Sequence, residues 1–104
     1  MADIDIILRC LKSDLKAALG DKMGDLILFG SRSRGDFAEY SDVDLLILVE
    51  GSLTREEKKK ADDLIAGHSL KHDIVISGLI YPANIYQHFN TPFLLNVKEE
   101  GIPV

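Results

Sequence analysis

An Asp-x-Asp pair and a glycine-rich turn lie between two apolar stretches of this 104-residue chain. The run from Gly30 to Asp44 reads GSRSRGDFAEYSDVD; it follows LILF and precedes LLILV. Because side chains alternate faces along a strand, we expect Asp42 and Asp44 to point the same way. Two carboxylates on one face repel each other unless a cation lies between them. The motif contains neither Cys nor His, so the spacing predicts a hard divalent ion, Mg²⁺ or Mn²⁺, rather than zinc.

The residues that precede the aspartates favour a phosphate ligand. Gly30 allows a sharp turn and a close approach of the backbone, and Ser31 offers a hydroxyl at the predicted start of a short helix. Arg32 and Arg34 are near enough in sequence for a guanidinium to grip phosphate oxygens. The Walker A loop and the dinucleotide-binding fingerprint are both absent from the sequence. Phosphate donors beside a carboxylate-held metal predict chemistry on a nucleoside triphosphate.

The rest of the chain predicts the elements that position this loop. Thr54 and Glu57 have the spacing of a capping box, and the helix that they begin is expected to stop at Gly67. A proline at position 92 favours the start of another helix there. In chain order we expect a helix over 3–19, a strand over 25–29, a short helix from Ser31, a strand over 43–49, the capped helix, a strand over 72–78, and helices over 83–89 and 92–100.

The position of the loop determines the strand directions. The Gly-Ser turn ends the first strand and Asp42 begins the second, so both can face one ligand only if these strands run antiparallel. The second and third strands should then be parallel and joined by the capped helix as a crossover. The predicted fold class is therefore α/β (α+β), a small mixed sheet flanked by helices, in one domain over residues 1–104.

The loop resembles the signature of the nucleotidyltransferases of the DNA polymerase beta superfamily, which is Gly-Ser, a spacer and Asp-x-Asp. Three segments carry the resemblance, namely Gly30-Ser31, Arg34-Gly35 and 41–45. The short chain and its tail PFLLNV are similar to the minimal nucleotidyltransferases, the stand-alone form found in prokaryotes. The resemblance spans nearly the whole chain, with dense motifs only in residues 28–48, and implies the polymerase-beta-like nucleotidyltransferase fold.

The resemblance also implies a role for individual residues. Asp42 and Asp44 would bridge two Mg²⁺ ions, and Asp73, near the start of the third predicted strand, would complete the metal-binding and catalytic triad. Without the resemblance, Asp73 equally fits an ordinary polar residue at a strand entrance. The implied reaction transfers a nucleoside monophosphate from an NTP, with ATP the expected donor, to a hydroxyl and releases pyrophosphate. Nucleotide contacts are expected from Gly30, Ser31, Arg34 and Ser41.

The residues do not specify the acceptor. The resemblance implies an antitoxin that attaches AMP to a tyrosine of a HEPN-domain toxin partner. Two alternatives stay open from the sequence, a non-catalytic antitoxin that neutralises its partner by contact and a transferase for a small molecule such as an aminoglycoside. The oligomeric state is also open, with a homo-oligomer among the alternatives.

Composition limits the partners and the compartment. A formal net charge of -5 disfavours a broad nucleic-acid-binding surface, since such surfaces need patches of Lys and Arg. Cys10 is the single cysteine, which excludes an internal disulfide and fits a reducing cytoplasm. We expect no membrane span and no signal peptide, and therefore a cytoplasmic protein. His68 and His72 are expected to be isolated surface or hinge histidines rather than a shared metal site.

Overall fold

The computed structural model of the chain describes residues 4–30 and 43–104. These residues form a four-stranded sheet with helices on both faces, and a short 3₁₀ turn, Gly20–Lys22, precedes the first strand. The predicted short helix from Ser31 lies outside the described residues. The elements are α1 (Ile4–Leu19), β1 (Met23–Phe29), β2 (Val43–Val49), α2 (Arg55–His72), β3 (Ile76–Pro82), α3 (Ala83–His88), α4 (Pro92–Glu100) and β4 (Ile102–Pro103).

The sheet has the order β3-β2-β1-β4. Strands β1 and β2 are antiparallel, and β2 and β3 are parallel with α2 between them, so both predicted directions are confirmed. The mixed sheet flanked by helices confirms the predicted fold class. Strand β4 pairs antiparallel with β1 and was not predicted. A two-residue strand that ends in proline has no alternation that a sequence could display.

Strand β2 is buried on both faces of the sheet. Leu45 and Ile47 pack in a core cluster with α1 and α2, whereas Leu46 and Leu48 pack in a second cluster with α3 and α4. A strand covered on both sides reads as a continuous apolar run, which is why LLILV shows no polar alternation. Because faces alternate along the strand, Asp44 lies on the Leu46 face, the side covered by α3 and α4.

Helix α1 follows its prediction to within one residue. Its apolar stripe faces the sheet and α2, and its charged residues lie outside that stripe. The buried members of the stripe are Ile7, Leu8, Leu11, Leu15 and Leu19.

Helix α2 begins as predicted and ends later than predicted. The Thr54 hydroxyl accepts from the backbone N–H of Glu57 at 3.1 Å, and the Glu57 carboxylate accepts from the N–H of Thr54 at 2.9 Å, which confirms the capping box. The predicted stop at Gly67 is wrong, because the helix continues to His72. A glycine inside a helix costs only about 1 kcal/mol, which the packing of buried His68 in the following turn can offset.

The late end of α2 moves the following strand. Strand β3 begins at Ile76, so the predicted strand over 72–78 is displaced by four residues at each end. Helices α3 and α4 lie close to their predicted ranges. Pro92 occupies the first turn of α4, and the Thr91 hydroxyl caps the helix by accepting from the N–H of Leu94 at 3.2 Å.

None of the helices in the described part of the chain combines the length and the apolar composition that crossing a bilayer requires.

Candidate functional site

Asp44 lies at one end of the sheet, beside the last residue of β1. In the antiparallel ladder Asp44 is the partner of Phe29, so Gly30 follows directly where β1 ends. The side chain of Asp44 is half-buried. The strand directions therefore bring the carboxylate and the beginning of the glycine-rich turn to the same edge, as the sequence predicts.

Gly30 and the carboxylate of Asp44 are in close proximity. Gly30 has φ +84°, a conformation that residues with side chains rarely adopt. A Cβ placed on Gly30 would lie 2.5 Å from Oδ2 of Asp44, so the carboxylate would have to move to make room for it. The backbone conformation thus favours glycine at this position, and a larger residue would also displace the neighbouring carboxylate. The backbone of the turn can approach a ligand held by Asp44 without an intervening side chain.

Asp73 is located at the end of α2 rather than in a strand. It has φ 52° in the left-handed region, and its N–H is directed towards the carbonyls of Leu70 and Ser69. The backbone carbonyl of Ser69 also accepts from the N–H of Ile74 at 3.1 Å. The side-chain hydroxyl of Ser69 accepts from the N–H of Ile76 at 3.1 Å. The predicted position of Asp73 within strand 72–78 is therefore wrong, although these bonds to Ser69 hold it at a fixed helix end.

Asp73 nevertheless lies towards the same end of the sheet as Asp44. Val43 and Ile76 are partners in the parallel ladder, and the N–H of Val43 donates to the carbonyl of Val75 at 2.8 Å. Asp73 precedes Ile76, the first residue of β3, by three residues. Because β2 and β3 are parallel, Asp73 comes before β3 at the edge of the sheet where β2 also begins. The sequence prediction that Asp73 starts its strand is wrong, but its position before β3 leaves it at the edge of the sheet where β2 begins.

The remaining predicted site residues lie outside the described residues. Within residues 4–30 and 43–104 no three acidic, histidine or cysteine side chains are grouped closely enough to hold a metal ion. The described part of the chain therefore contributes two of the three predicted carboxylates, Asp44 and Asp73. The residues outside the described ranges are Ser31, Arg34, Ser41 and Asp42, and the roles of all the predicted site residues stay predictions.

Ser77 lies beside Asp44, although no sequence motif includes it. It is the partner of Asp44 in the parallel ladder, and it is exposed. Ile76 on one side of it is buried, and a Cβ on Gly78 on the other side would meet the Ile65 side chain of α2. By alternation the hydroxyl of Ser77 lies on the Asp44 face. Only the register of the parallel pair reveals this, because nothing in the sequence aligns residue 77 with residue 44.

A cavity of about 210 Å³ lies beside Gly30 on the same face of the sheet. One wall is the end of β1 and the other is a stripe of α4 at the helical spacing i, i+3, i+4, i+7. The rings of Phe29 and Phe93 meet edge to face, with centroids 5.5 Å apart and planes at 83°. The cavity is thus apolar at its base and carries an amide and a carboxylate at its rim. Its lining residues are Phe29, Gly30, Phe93, Asn96, Val97 and Glu100.

His68 is buried, so its predicted surface or hinge location is wrong. Its Nε2 is 2.8 Å from Oδ2 of Asp14, which links α2 to α1. Its ring stacks on that of His72 with centroids 5.8 Å apart. Within the described residues Nδ1 of His68 has no hydrogen-bond partner. The Asp14–His68 bond lies between α1 and α2, the helices that cover the face of the sheet opposite to the Asp44 face.

Comparison with known proteins matches these features to one family. The sequence pattern of the Nucleotidyltransferase domain matches residues 4–99. A protein of Methanocaldococcus jannaschii that bears the name protein adenylyltransferase is 43% identical over 98 residues, which cover 94% of this chain and 95% of that protein.

Two solved structures share the fold. A minimal nucleotidyltransferase superposes with a TM-score of 0.64 at 19% identity and covers 99% of this chain and 97% of that chain. The complex of a tri-AMPylated Shewanella oneidensis HEPN toxin with an MNT antitoxin gives a TM-score of 0.52 at 17% identity, covering 91% of this chain and 69% of that chain. The close approach of Gly30 to Asp44 falls within the matched region. The chain belongs to the nucleotidyltransferase family, with the fold of the minimal nucleotidyltransferases.

Proposed function

We propose that the protein transfers AMP from ATP to the hydroxyl of a tyrosine on a HEPN-domain toxin and thereby acts as the antitoxin. The single observation that carries this proposal is the contact of the Asp44 carboxylate with the side-chain-free turn at Gly30. It sets a metal-binding group beside a backbone that a phosphate can approach. The name of the M. jannaschii relative and the AMPylated toxin in the similar complex support adenylyl transfer to a protein.

The donor set suits Mg²⁺. Asp44 and Asp73 offer carboxylate oxygens, which hard divalent cations prefer as ligands. Asp42 and Asp44 would hold two ions and Asp73 would hold one of them. Bound Mg²⁺ would screen the triphosphate and lower the pKa of the attacking hydroxyl. Mn²⁺ offers the same coordination chemistry.

The residues of the chain position the reactants. The backbone at Gly30, with Ser31, Arg34 and Ser41, would hold the phosphates, and Asp44 keeps the α-phosphate at the edge of the sheet. The acceptor oxygen forms a bond to the α-phosphorus, the bond to the β-phosphate oxygen breaks, and pyrophosphate leaves while the hydroxyl proton passes to solvent. Such a reaction depends on orientation and charge stabilisation more than on covalent chemistry by the protein.

Intact-mass spectrometry tests the proposal. A candidate HEPN-domain partner protein is incubated with the wild-type chain, ATP and Mg²⁺, and a gain of one or more adenylyl groups is expected. The Asp42→Asn/Asp44→Asn chain should give none. Asp25→Asn is a matched control, because Asp25 is an exposed carboxylate at the other end of β1. If the toxin stayed unmodified and the wild type and Asp42→Asn/Asp44→Asn neutralised it equally, the protein would instead be an antitoxin that acts by contact alone.

A further inference from the structure

We propose that the cavity between the end of β1 and α4 takes the adenine ring of the donor nucleotide and that Asn96 reads its amino group. This inference rests on the proposed function and assigns a subsite to it. The cavity is the one lined in part by Phe29, Phe93 and Asn96.

The position of the cavity relative to Gly30 carries the first step. Gly30 lines the cavity, and a Cβ on the same residue would strike Asp44. The cavity and the carboxylate thus flank a single backbone position. A nucleotide whose phosphates lie against the turn at Gly30 can extend its ribose and base along α4 without crossing the sheet. The open strip of β3 beside Ser77, on the other side of Asp44, stays accessible to an acceptor.

The size of the cavity carries the second step. Sites that enclose a whole drug-sized ligand have volumes of about 300–1,000 Å³. At about 210 Å³ this cavity is too small for a complete nucleotide and fits one ring system of it. The edge-to-face pair of Phe29 and Phe93 gives a preformed aromatic wall, and Tyr81 supports Phe93 with ring centroids 6.2 Å apart. Aromatic side chains can stack with any of the nucleobases, because every base has a π-face.

The rim of the cavity carries the third step. The amide of Asn96 has a donor and an acceptor, which match the N6 amino group of adenine and its neighbouring ring nitrogen. Glu100, one turn further along α4, adds carboxylate oxygens that accept hydrogen bonds. A reactive tyrosine hydroxyl would have to point at Asp44, and among the described lining residues the one on that side, Gly30, offers only backbone polar groups. The polar rim therefore fits the amino edge of a base better than a phenol.

The test compares nucleotides that differ only in this edge. Calorimetry measures the binding of ATP, ITP and tripolyphosphate, each with Mg²⁺ and without acceptor protein, to the wild-type chain and to Asn96→Ala. Inosine has a carbonyl oxygen in place of the amino group of adenine. We expect the wild-type chain to prefer ATP to ITP by about fivefold to tenfold, a preference that Asn96→Ala abolishes. Tripolyphosphate, which has no base, should bind both chains equally.

Asn84→Ala is the matched control, since Asn84 is an exposed asparagine of α3 that does not line the cavity. It should keep the wild-type preference for ATP. Equal binding of ATP and ITP by the wild-type chain, with adenylyl transfer intact, would overturn the base site and leave the proposed function standing. A change in the KM for the acceptor without a change in ATP affinity in Asn96→Ala would overturn it in favour of an acceptor pocket. If the wild-type chain bound no triphosphate at all, both proposals would fail.

Discussion

The carboxylate of Asp44 occupies the space that a side chain on Gly30 would need. Gly30 directly follows β1 and Asp44 lies in β2, and the antiparallel pairing of Phe29 with Asp44 brings the two residues together. A substitution at Gly30 therefore acts on the carboxylate as well as on the turn. The fold makes these two effects separable, because Gly51 also has a positive φ, of +70°, but is surrounded by open space.

We expect Gly30→Ala to lower AMP transfer by about 100-fold, because a displacement of a reacting group by about 1 Å is enough for such a loss. The strained φ should also cost about 1 kcal/mol of folding free energy. Gly51→Ala should show a similar loss of stability with unchanged transfer. The measurements are single-turnover AMP transfer and urea unfolding for the two variants. Equal transfer by both would disprove the steric coupling of Gly30 to Asp44.

The left-handed conformation of Asp73 provides two substitutions that spare the fold. Asparagine and glycine both tolerate this conformation, so Asp73→Asn and Asp73→Gly should keep the wild-type midpoint of thermal unfolding. If Asp73 serves the metal that activates the acceptor, both variants should lose AMP transfer by at least about 100-fold while keeping most of their Mg-ATP affinity. Asp62→Asn, on an exposed site of α2, is the control. Transfer at the wild-type rate by either Asp73 variant would remove this residue from the site.

The start of α2 should make stability depend on acid pH. The Nζ of Lys22 lies 2.6 Å from Oε1 of Glu57. The hydrogen bond from Lys22 and, to a smaller extent, the one from the Thr54 backbone lower the pKa of Glu57 from 4.5 to about 2. Because the folded-state pKa is the lower one, the ionised carboxylate stabilises the fold above pH 4.5, and this stabilisation is lost as the pH falls towards 2.

Glu57→Gln keeps an oxygen that can accept from Thr54 and removes the charge. Its thermal midpoint should lie below that of the wild type near neutral pH, and the two should converge as the pH approaches about 2. Glu56→Gln, a change in an exposed neighbour, should leave the midpoint unchanged at every pH. A constant gap between Glu57→Gln and the wild type over this range would contradict the assigned ion pair.

The bond between Asp14 and His68 should couple α1 to α2. Removing the carboxylate leaves a buried imidazole without this partner, so Asp14→Ala should destabilise the fold by about 1–3 kcal/mol. Adding His68→Leu removes the unpaired group and should restore part of that loss. Urea unfolding of both single variants and the double variant measures the coupling energy. Asp63→Ala breaks only an exposed pair with Lys59 at 3.8 Å and should have little effect, and strict additivity at Asp14 and His68 would contradict the link.

Strand directions could be predicted from the sequence because they follow from one geometric requirement. If the turn at Gly30 and the carboxylates are to face one ligand, β1 and β2 must be antiparallel, whatever the rest of the chain does. The capping box at Thr54 was predictable for a similar reason, since Thr and Glu three residues apart satisfy each other locally.

The end of α2 could not be predicted because the forces that set it are not local. Glycine is a residue type that commonly ends helices, which is why Gly67 was predicted to end α2. The next turn, however, carries His68, whose hydrogen-bond partner Asp14 is 54 residues away in the sequence. The cavity could not be predicted for the same reason, because Phe29 and Asn96 line one cavity only once α4 has packed on the sheet. The position of Asp73 relative to Asp44 likewise depends on where α2 stops.

The burial of β2 on both faces gives the two described carboxylates different local stabilities. We expect backbone amides in a strand of this kind to exchange with deuterium only when the whole domain unfolds, and Asp44 is the second residue of that strand. Asp73, in contrast, is on an exposed connection held by a few bonds to Ser69, which a partial opening of the end of α2 can release. Warming or mild denaturant should therefore displace Asp73 from Asp44 while β2 is still folded. The chain should then lose its activity before it loses its fold.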